Sequence, residues 1–142
     1  MAIERNESLS GISSTADCGM QDYRNLLVWR RAHELVLNVR NTTRRFPRSG
    51  YAQLKSQMTT AAESIAFNIV EGCGAATRKE FARFLDISVK SATETHYQLQ
   101  LARDYGIMRD SEWTQYSEEA VAIRKMLYTL RKKVLAADQL GE

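Results

Sequence analysis

The stretch Ser56–Gly74, SQMTTAAESIAFNIVEGCG, decides the fold of this chain. Its apolar residues recur three or four positions apart, which is the spacing of one face of an amphipathic helix. These residues are Met58, Ala61, Ala62, Ile65 and Ile69. The small alanines allow a second helix to approach closely, and the isoleucines fill the space between the two helices. We therefore expect this segment to be the central helix of a helical bundle.

Two glycines stand at the end of this stretch. Gly72 and Gly74 are separated by one residue, and glycine readily adopts the positive φ angles found where helices end. The sequence therefore predicts a helix C-terminus with left-handed glycine at this point. Asn68 and Glu71 precede it, and a buried amide needs hydrogen-bond partners. We interpret these two polar side chains as ties between this helix end and its neighbour.

Four segments with helical periodicity follow a polar N-terminal stretch. Residues 1–21 are rich in Ser, Gly and Asn, which predicts a mobile tail. Residues 22–138 are predicted to form the bundle, and residues 139–142 a C-terminal tail. The predicted helices lie at about 25–46, 51–73, 78–105 and 111–137. Short links between amphipathic helices favour an all-α fold, an antiparallel up-down four-helix bundle.

Local signals indicate where these helices begin and end. Asn25 is the predicted N-cap of the first helix, and Pro47 stops that helix because proline lacks a backbone donor. Thr77, with Glu80 three residues later, is a capping box at the start of the third helix. Gly106 is a suitable residue for the end of the same helix.

Composition limits the class of protein. A chain of 142 residues that is 44% hydrophobic can bury one core without disulfides or a metal ion. The net charge of +3 permits binding to nucleic acid without establishing it. No apolar run reaches the roughly 20 residues of a membrane span. The first twenty residues lack the hydrophobic segment of a secretory signal, and Cys18 and Cys73 form no disulfide framework, so we expect a cytoplasmic protein.

The predicted first helix is strongly basic. Between residues 26 and 46, five arginines stand against Glu34, so the helix carries 5 − 1 = +4, more than the whole chain. Guanidinium groups bind phosphate bidentately, so this face predicts contact with a nucleic-acid backbone. The candidate residues, including a basic cluster near the end of the fourth helix, are Arg30, Arg31, Arg40, Arg44, Arg45, Arg48, Arg131, Lys132 and Lys133. The alternatives are that the arginines only keep the protein soluble and that the last three residues only complement a helix dipole.

Catalytic and metal motifs are incomplete. His33 and Glu34 begin an HExxH pattern, but Leu37 occupies the position of its second histidine. No histidine is placed by sequence to act as a base for Cys73, and Gly74 is not followed by the Gly-Lys-Thr of a phosphate-binding loop. We therefore expect no catalytic residue, no metal site and no cofactor, as in a non-enzymatic protein.

Several motifs across the chain resemble one protein family when their spacing is considered together. They lie at Tyr23–Ala32, Phe46–Pro47, Tyr51–Gln57, Ser64–Gly72 and Lys79–Glu94. Together they resemble the four-helix bundle proteins encoded in 23S rRNA intervening sequences. The residues of the structural motif include Trp29, Asn68, Glu71, Gly72 and Glu80. The chain departs from the family pattern at Thr59 and Thr60, where members often have arginines, and at Lys90, where they usually have glycine.

The resemblance implies a self-associating protein, most simply a ring-shaped homo-oligomer with five subunits. It also implies an association with intervening sequences inserted in 23S rRNA genes. The basic face of the first helix is where we expect contact with RNA. The alternative function is an accessory scaffold of a diversity-generating retroelement, which would bind a reverse transcriptase and its template RNA. The neighbouring genes would discriminate between these two hypotheses.

Overall fold

The computed structural model describes residues 22–140, with side chains described from residue 22 to residue 137. The predicted N-terminal tail, with Cys18, and residues 141–142 lie outside this range. A short 3₁₀ helix, Tyr23–Asn25, precedes four α-helices: α1 Leu27–Thr43, α2 Ala52–Cys73, α3 Arg78–Asp104 and α4 Asp110–Leu140. Within residues 22–140 there is no β-strand, and no helix is long and apolar enough to cross a membrane.

The first helix is shorter than predicted at both ends. The Asp22 carboxylate accepts a hydrogen bond from the backbone N–H of Arg24 at 3.0 Å, and the chain forms a 3₁₀ turn before α1 begins. The predicted N-cap at Asn25 is therefore wrong, because Asn25 lies in that turn and Leu26 occupies the cap position. At the other end, buried Phe46 belongs to the link between α1 and α2 and not to the helix.

The predicted helix ends differ in their outcome. The Thr77 hydroxyl accepts a hydrogen bond from the Glu80 N–H at 3.1 Å, which confirms the N-cap of α3. Gly106 has a φ of +76°, which confirms it as a left-handed residue. The predicted end of the second helix is confirmed, because α2 ends at Cys73. The predicted left-handed glycine is wrong, because Gly72 lies within α2 and Gly74 has a φ of −91°.

Gly72 serves close packing between α2 and α3. A Cβ atom built on it would lie 2.7 Å from Cδ1 of Phe81 and 3.3 Å from Cβ of Phe84. Both phenylalanines belong to α3. Because real Cβ atoms do not approach carbon so closely, a side chain here would force the helices apart. The glycine is thus required by the distance between two helices.

The helices pack as a four-membered bundle. Each helix packs against the next one in sequence, and α1 also packs against α4, while the diagonal pairs of helices bring no Cα atoms within 8 Å of each other in the described residues. The largest interfaces are those that α3 makes with α4 and α2. The core contains fully buried side chains from every helix, among them Leu35, Ile65, Ile69, Leu85, Leu99, Ile123 and Leu127. Burial of each such side chain stabilises the fold by about 1.5–3 kcal/mol.

Polar side chains cross the interface between α2 and α3. The hydroxyls of Ser64 and Ser91 lie 2.7 Å apart, and the Ser88 hydroxyl donates to the carbonyl of Ile65 at 2.9 Å. Asn68 donates to Ser64 within its own helix. The predicted ties are therefore made by serines, and Asn68 supports them from α2.

Glu71 and Lys90 both lie on the surface of the bundle. The side chain of Glu71 makes no hydrogen bond or ion pair with the described residues, so the prediction that it ties α2 to a neighbouring helix is wrong. Lys90 is exposed, so it does not enter the helix crossing.

Candidate nucleic-acid interface

The arginines of α1 and of the turn that follows it do not form one face. Arg31 and Arg45 contact α4, whereas Arg40 and Arg44 line a cleft against α2. The two pairs differ in helical position, so the neighbouring helices meet them from opposite flanks. The predicted basic surface is thus divided into a paired half and an open half.

The paired half joins α1 to α4 through glutamates. Arg31 donates from Nε and Nη2 to the two carboxylate oxygens of Glu119, at 2.8 and 2.6 Å. This bidentate hydrogen bonding raises the pKa of Arg31 above its usual value, so the guanidinium stays charged. Arg45 donates to Glu112, which also accepts from the hydroxyl of Thr42 at 3.2 Å. These two arginines are therefore committed to holding the bundle together.

The open half is a basic cleft between α1 and α2, with a volume of about 440 Å³. Its lining residues are Arg40, Thr43, Arg44, Ala52, Lys55, Ser56 and Thr59. Three of these are cations and none is acidic. Arg40, Arg44 and Lys55 are exposed, and within the described residues none of them forms an ion pair. The lining residues of the cleft therefore carry a net charge of +3 without an acidic partner.

The two threonine hydroxyls in this cleft already donate hydrogen bonds within the protein. Thr43 donates to the carbonyl of Arg40 at 3.1 Å, and Thr59 donates to the carbonyls of Lys55 and Ser56 at 3.1 and 3.0 Å. Both threonine hydroxyls are thus used as donors by their own helices. The charges of the cations, and not these hydroxyls, set the chemistry of the cleft.

The N-terminus of α2 lies at the same place. Tyr51 occupies the N-cap position without a side-chain hydrogen bond, and the first turn contains no acidic residue. Ala52, the first residue of α2, lines the cleft. The first N–H groups of a helix have no partner within the helix and carry a partial positive charge. The start of α2 therefore adds positive potential, and the end of α1 at Thr43 opposes it, so the net positive charge of the cleft comes from the arginines and the lysine.

The remaining predicted cations are not gathered at this cleft. Arg30 is half-buried and interacts within the protein, and Arg48 is exposed in the link between α1 and α2. Arg131 forms an ion pair with Asp86 of α3 at 2.6 Å, while Lys132 and Lys133 are exposed.

The basic cluster of α4 lies near the opposite end of the bundle. Because Arg45 contacts Glu112 and Arg31 contacts Glu119, α4 runs antiparallel to α1. Arg131 follows Glu112 by 19 residues, which is about 28 Å of helix. The Arg131–Lys133 cluster and the cleft therefore cannot belong to one compact site.

Lys55 and Ser56 were missed by the sequence analysis. Neither belongs to a basic run, since the other charged residues of α2 are Glu63 and Glu71. Their place beside Arg44 follows from the antiparallel pairing of α1 and α2. The length of the link between the two helices was the available signal, because a short link requires such pairing.

Comparison with known proteins identifies the family. The family model described as 23S rRNA-intervening sequence protein matches residues 24–129, from before α1 to within α4. The chain belongs to this family. The resemblance drawn from the sequence motifs is thereby confirmed.

A solved structure of another protein has the same fold as this chain. It is described as a protein with unknown function from the S23 ribosomal protein family, from Bacteroides thetaiotaomicron. The TM-score is 0.70 at 23% sequence identity, covering 75% of this chain and 99% of the other. At this identity the likeness concerns the fold alone. None of the curated proteins compared with the chain matches it.

Two residues of the family motif, Trp29 and Gly72, take part in packing inside the bundle. Trp29 is half-buried, meets the ring of Tyr23 edge-on at 4.8 Å and stacks on His33 at 5.0 Å. Gly72 packs against Phe81. Part of the family motif therefore serves the packing of the bundle. The cleft contains Thr59 of α2, and its arginines are Arg40 of α1 and Arg44, which follows the last residue of α1.

Proposed function

We propose that this member of the intervening-sequence family is a non-enzymatic, cytoplasmic protein that binds the phosphate backbone of RNA through the basic cleft. The observation that supports the proposal is the absence of any ion pair, within the described residues, for Arg40, Arg44 and Lys55. Cations that already have carboxylate partners lose part of their attraction for phosphate, and these three have none. Each phosphate that they neutralise releases condensed counterions, so binding is strongest at low salt.

The proposed interface is narrower than the arginine face predicted from the sequence. Arg48, which is exposed in the link between α1 and α2, does not line the cleft. Arg31 and Arg45 stay with their glutamates, because leaving a partly buried carboxylate unpaired costs free energy. Lys132 and Lys133 contact only an RNA long enough to span the bundle.

Self-association completes the proposal. Three cations on one subunit give weak binding, and a pentameric ring would present five clefts to one RNA and multiply the affinity by avidity. Two large apolar side chains on the outer surface support such assembly. Phe67 of α2 is 64% exposed and Leu37 of α1 is 45% exposed. Contact between subunits would remove both from water.

Charge reversal tests the RNA proposal. We expect the double variant Arg40→Glu/Arg44→Glu to lose at least about tenfold in affinity for a structured RNA in fluorescence anisotropy at low salt. The matched control is Lys132→Glu/Lys133→Glu, which has the same change in net charge at the other end of the molecule. Equal losses in both variants would show attraction to the whole protein and would contradict the assignment of the cleft.

The scaffold function remains a prediction from the resemblance. No feature of residues 22–140 favours a reverse transcriptase as a partner. A reverse-transcriptase gene adjacent to this one, with co-purification of the two proteins, would support that function over the first.

A further inference from the structure

We infer that the basic cleft receives a terminal phosphate group, a phosphomonoester at the end of an RNA strand. This inference rests on the proposed function and makes it more specific. The cleft would bind a phosphate at the end of a strand more tightly than a phosphate within the strand.

The arrangement of charges supports a compact and highly charged group. Arg40 lies in the last turn of α1, Arg44 follows one turn later at the C-cap, and Lys55 comes from the opposite wall on α2. All three line one volume of about 440 Å³, within the range of about 300–1,000 Å³ typical of small-ligand sites. The cations are thus gathered around a concave space, whereas a surface that follows a backbone would spread them along a line.

Charge balance distinguishes the two kinds of phosphate. An internal phosphodiester carries one negative charge, and both of its neighbouring nucleotides must leave the cleft. A phosphomonoester carries about −1.5 to −2 charges at pH 7, offers three terminal oxygens and has a single chain leaving it. Three cations without a carboxylate partner match the second group more closely.

Two further donors lie at the cleft. Ser56 lines it, and the Ser56 hydroxyl donates to no group in the described part of the chain. The uncapped start of α2 at Ala52 presents backbone N–H groups at the same place. A third phosphate oxygen would therefore find donors besides the guanidinium and ammonium groups. The geometry does not distinguish a 5′ from a 3′ phosphate, so the test must include both.

The experiment compares RNA probes of one short, unstructured sequence. The strands carry a 5′-phosphate, a 3′-phosphate or hydroxyls at both ends, and inorganic phosphate is added as a competitor. We expect the full-length protein to bind one phosphate-ended strand at least about tenfold more tightly than the hydroxyl strand. Millimolar inorganic phosphate should abolish this preference. Binding of the RNA that persists after the preference is lost would be assigned to phosphates within the strand, which contact the protein separately from the terminal phosphate.

Variants assign the preference to the cleft. Lys55→Gln removes an exposed charge and should reduce the preference to about threefold or less, whereas Lys133→Gln should leave it unchanged. Circular dichroism and mass in solution confirm that both variants keep their fold and assembly.

The outcomes separate this inference from the proposed function. Equal binding of all three strands, still lost on Arg40→Glu/Arg44→Glu, would overturn the terminal-phosphate site and leave backbone binding intact. A preference that survives Lys55→Gln would place the end-reading site outside the cleft and would also overturn the inference. Failure of every RNA to bind would overturn both proposals.

Discussion

Individual residues of this bundle serve either the packing of helices or the binding of a ligand. Gly72 has no side chain because Phe81 of α3 occupies the space where a Cβ would lie. Arg40 and Arg31, by contrast, are chemically identical residues on one helix with opposite fates. Arg31 is bonded to Glu119, and Arg40 faces an open cleft. The partner on the next helix, and not the residue type, decides which arginine is available to a ligand.

Gly72→Ala should destabilise the protein. The new Cβ would approach Cδ1 of Phe81 to 2.7 Å, and overpacking of this kind costs about 1–3 kcal/mol. The higher helix propensity of alanine offsets about 1 kcal/mol of that cost. We expect a net loss of about 1 kcal/mol in the free energy of unfolding, measured by urea denaturation.

The chain offers a matched control for this change. At Gly74 an added Cβ would meet only the carbonyl of Glu71 at 3.6 Å, which is an ordinary contact. Gly74→Ala should therefore leave the free energy of unfolding nearly unchanged. Phe81→Leu combined with Gly72→Ala should destabilise less than the sum of the two single changes. Simple additivity would contradict a clash between these two residues.

Among the elements, α1 has two neighbours with opposite electrostatic roles. Its flank toward α4 meets Glu112 and Glu119, and its flank toward α2 meets Lys55. The first flank therefore stabilises the fold, and the second accumulates positive charge. Removing one carboxylate from the first flank should change stability and binding in opposite directions.

Glu119→Gln tests this division. We expect the loss of its bidentate pair with Arg31 to lower the free energy of unfolding by about 0.5–1 kcal/mol, because both groups are partly exposed. The released guanidinium should raise RNA affinity roughly twofold to fivefold. Glu118→Gln makes the same change in net charge at an exposed neighbour that has no ion pair within the described residues. Identical effects in the two variants would contradict a specific role for the pair.

Thr59→Arg should strengthen binding. Thr59 lines the cleft from α2, so an arginine there would add a fourth cation to the three already present. We expect RNA affinity to rise roughly threefold to tenfold in anisotropy titrations at low salt. Thr129→Arg is the matched control, because Thr129 is an exposed helical threonine of α4 whose hydroxyl also donates to its own backbone. An equal gain from Thr129→Arg would indicate that only net charge matters.

Periodicity predicted much of the fold because each helix has a continuous apolar stripe. It also identified the arginines of α1. Periodicity could not assign Arg31 and Arg40 to opposite flanks, since a stripe shows which residues face inward but not which helix stands on either side. The glycines before the third helix were misinterpreted for a related reason. Glycine serves both for turns and for close packing, and only the position of Phe81 distinguishes the two uses.

At the scale of the whole molecule, positive charge occupies separated regions. The cleft lies where α1 ends and α2 begins, and the exposed Lys132 and Lys133 lie near the end of α4. A ring of subunits would repeat the cleft around its circumference. The ring should therefore bind RNA more tightly than a single subunit does, and its affinity should depend more steeply on salt concentration.

Salt dependence should reveal how many clefts one RNA contacts. Three phosphate contacts on a single strand predict a slope of about −2 in a plot of log affinity against log salt concentration, and five clefts predict up to about −10. Phe67→Glu, which places a charge on an exposed apolar position, should reduce the solution mass to that of one 16.2-kDa subunit. Its slope should fall to about −2. An unchanged slope in a monomeric variant would contradict multivalent binding.

The most direct test of RNA binding by the cleft observes the arginine side chains themselves. In a ¹H–¹⁵N spectrum of the arginine Nε–H groups, we expect the resonances of Arg40 and Arg44 to shift when RNA is added. The resonance of Arg31, whose Nε–H is bonded to Glu119, should stay in place. RNA binding that shifts Arg31 and leaves Arg40 and Arg44 unchanged would contradict the account.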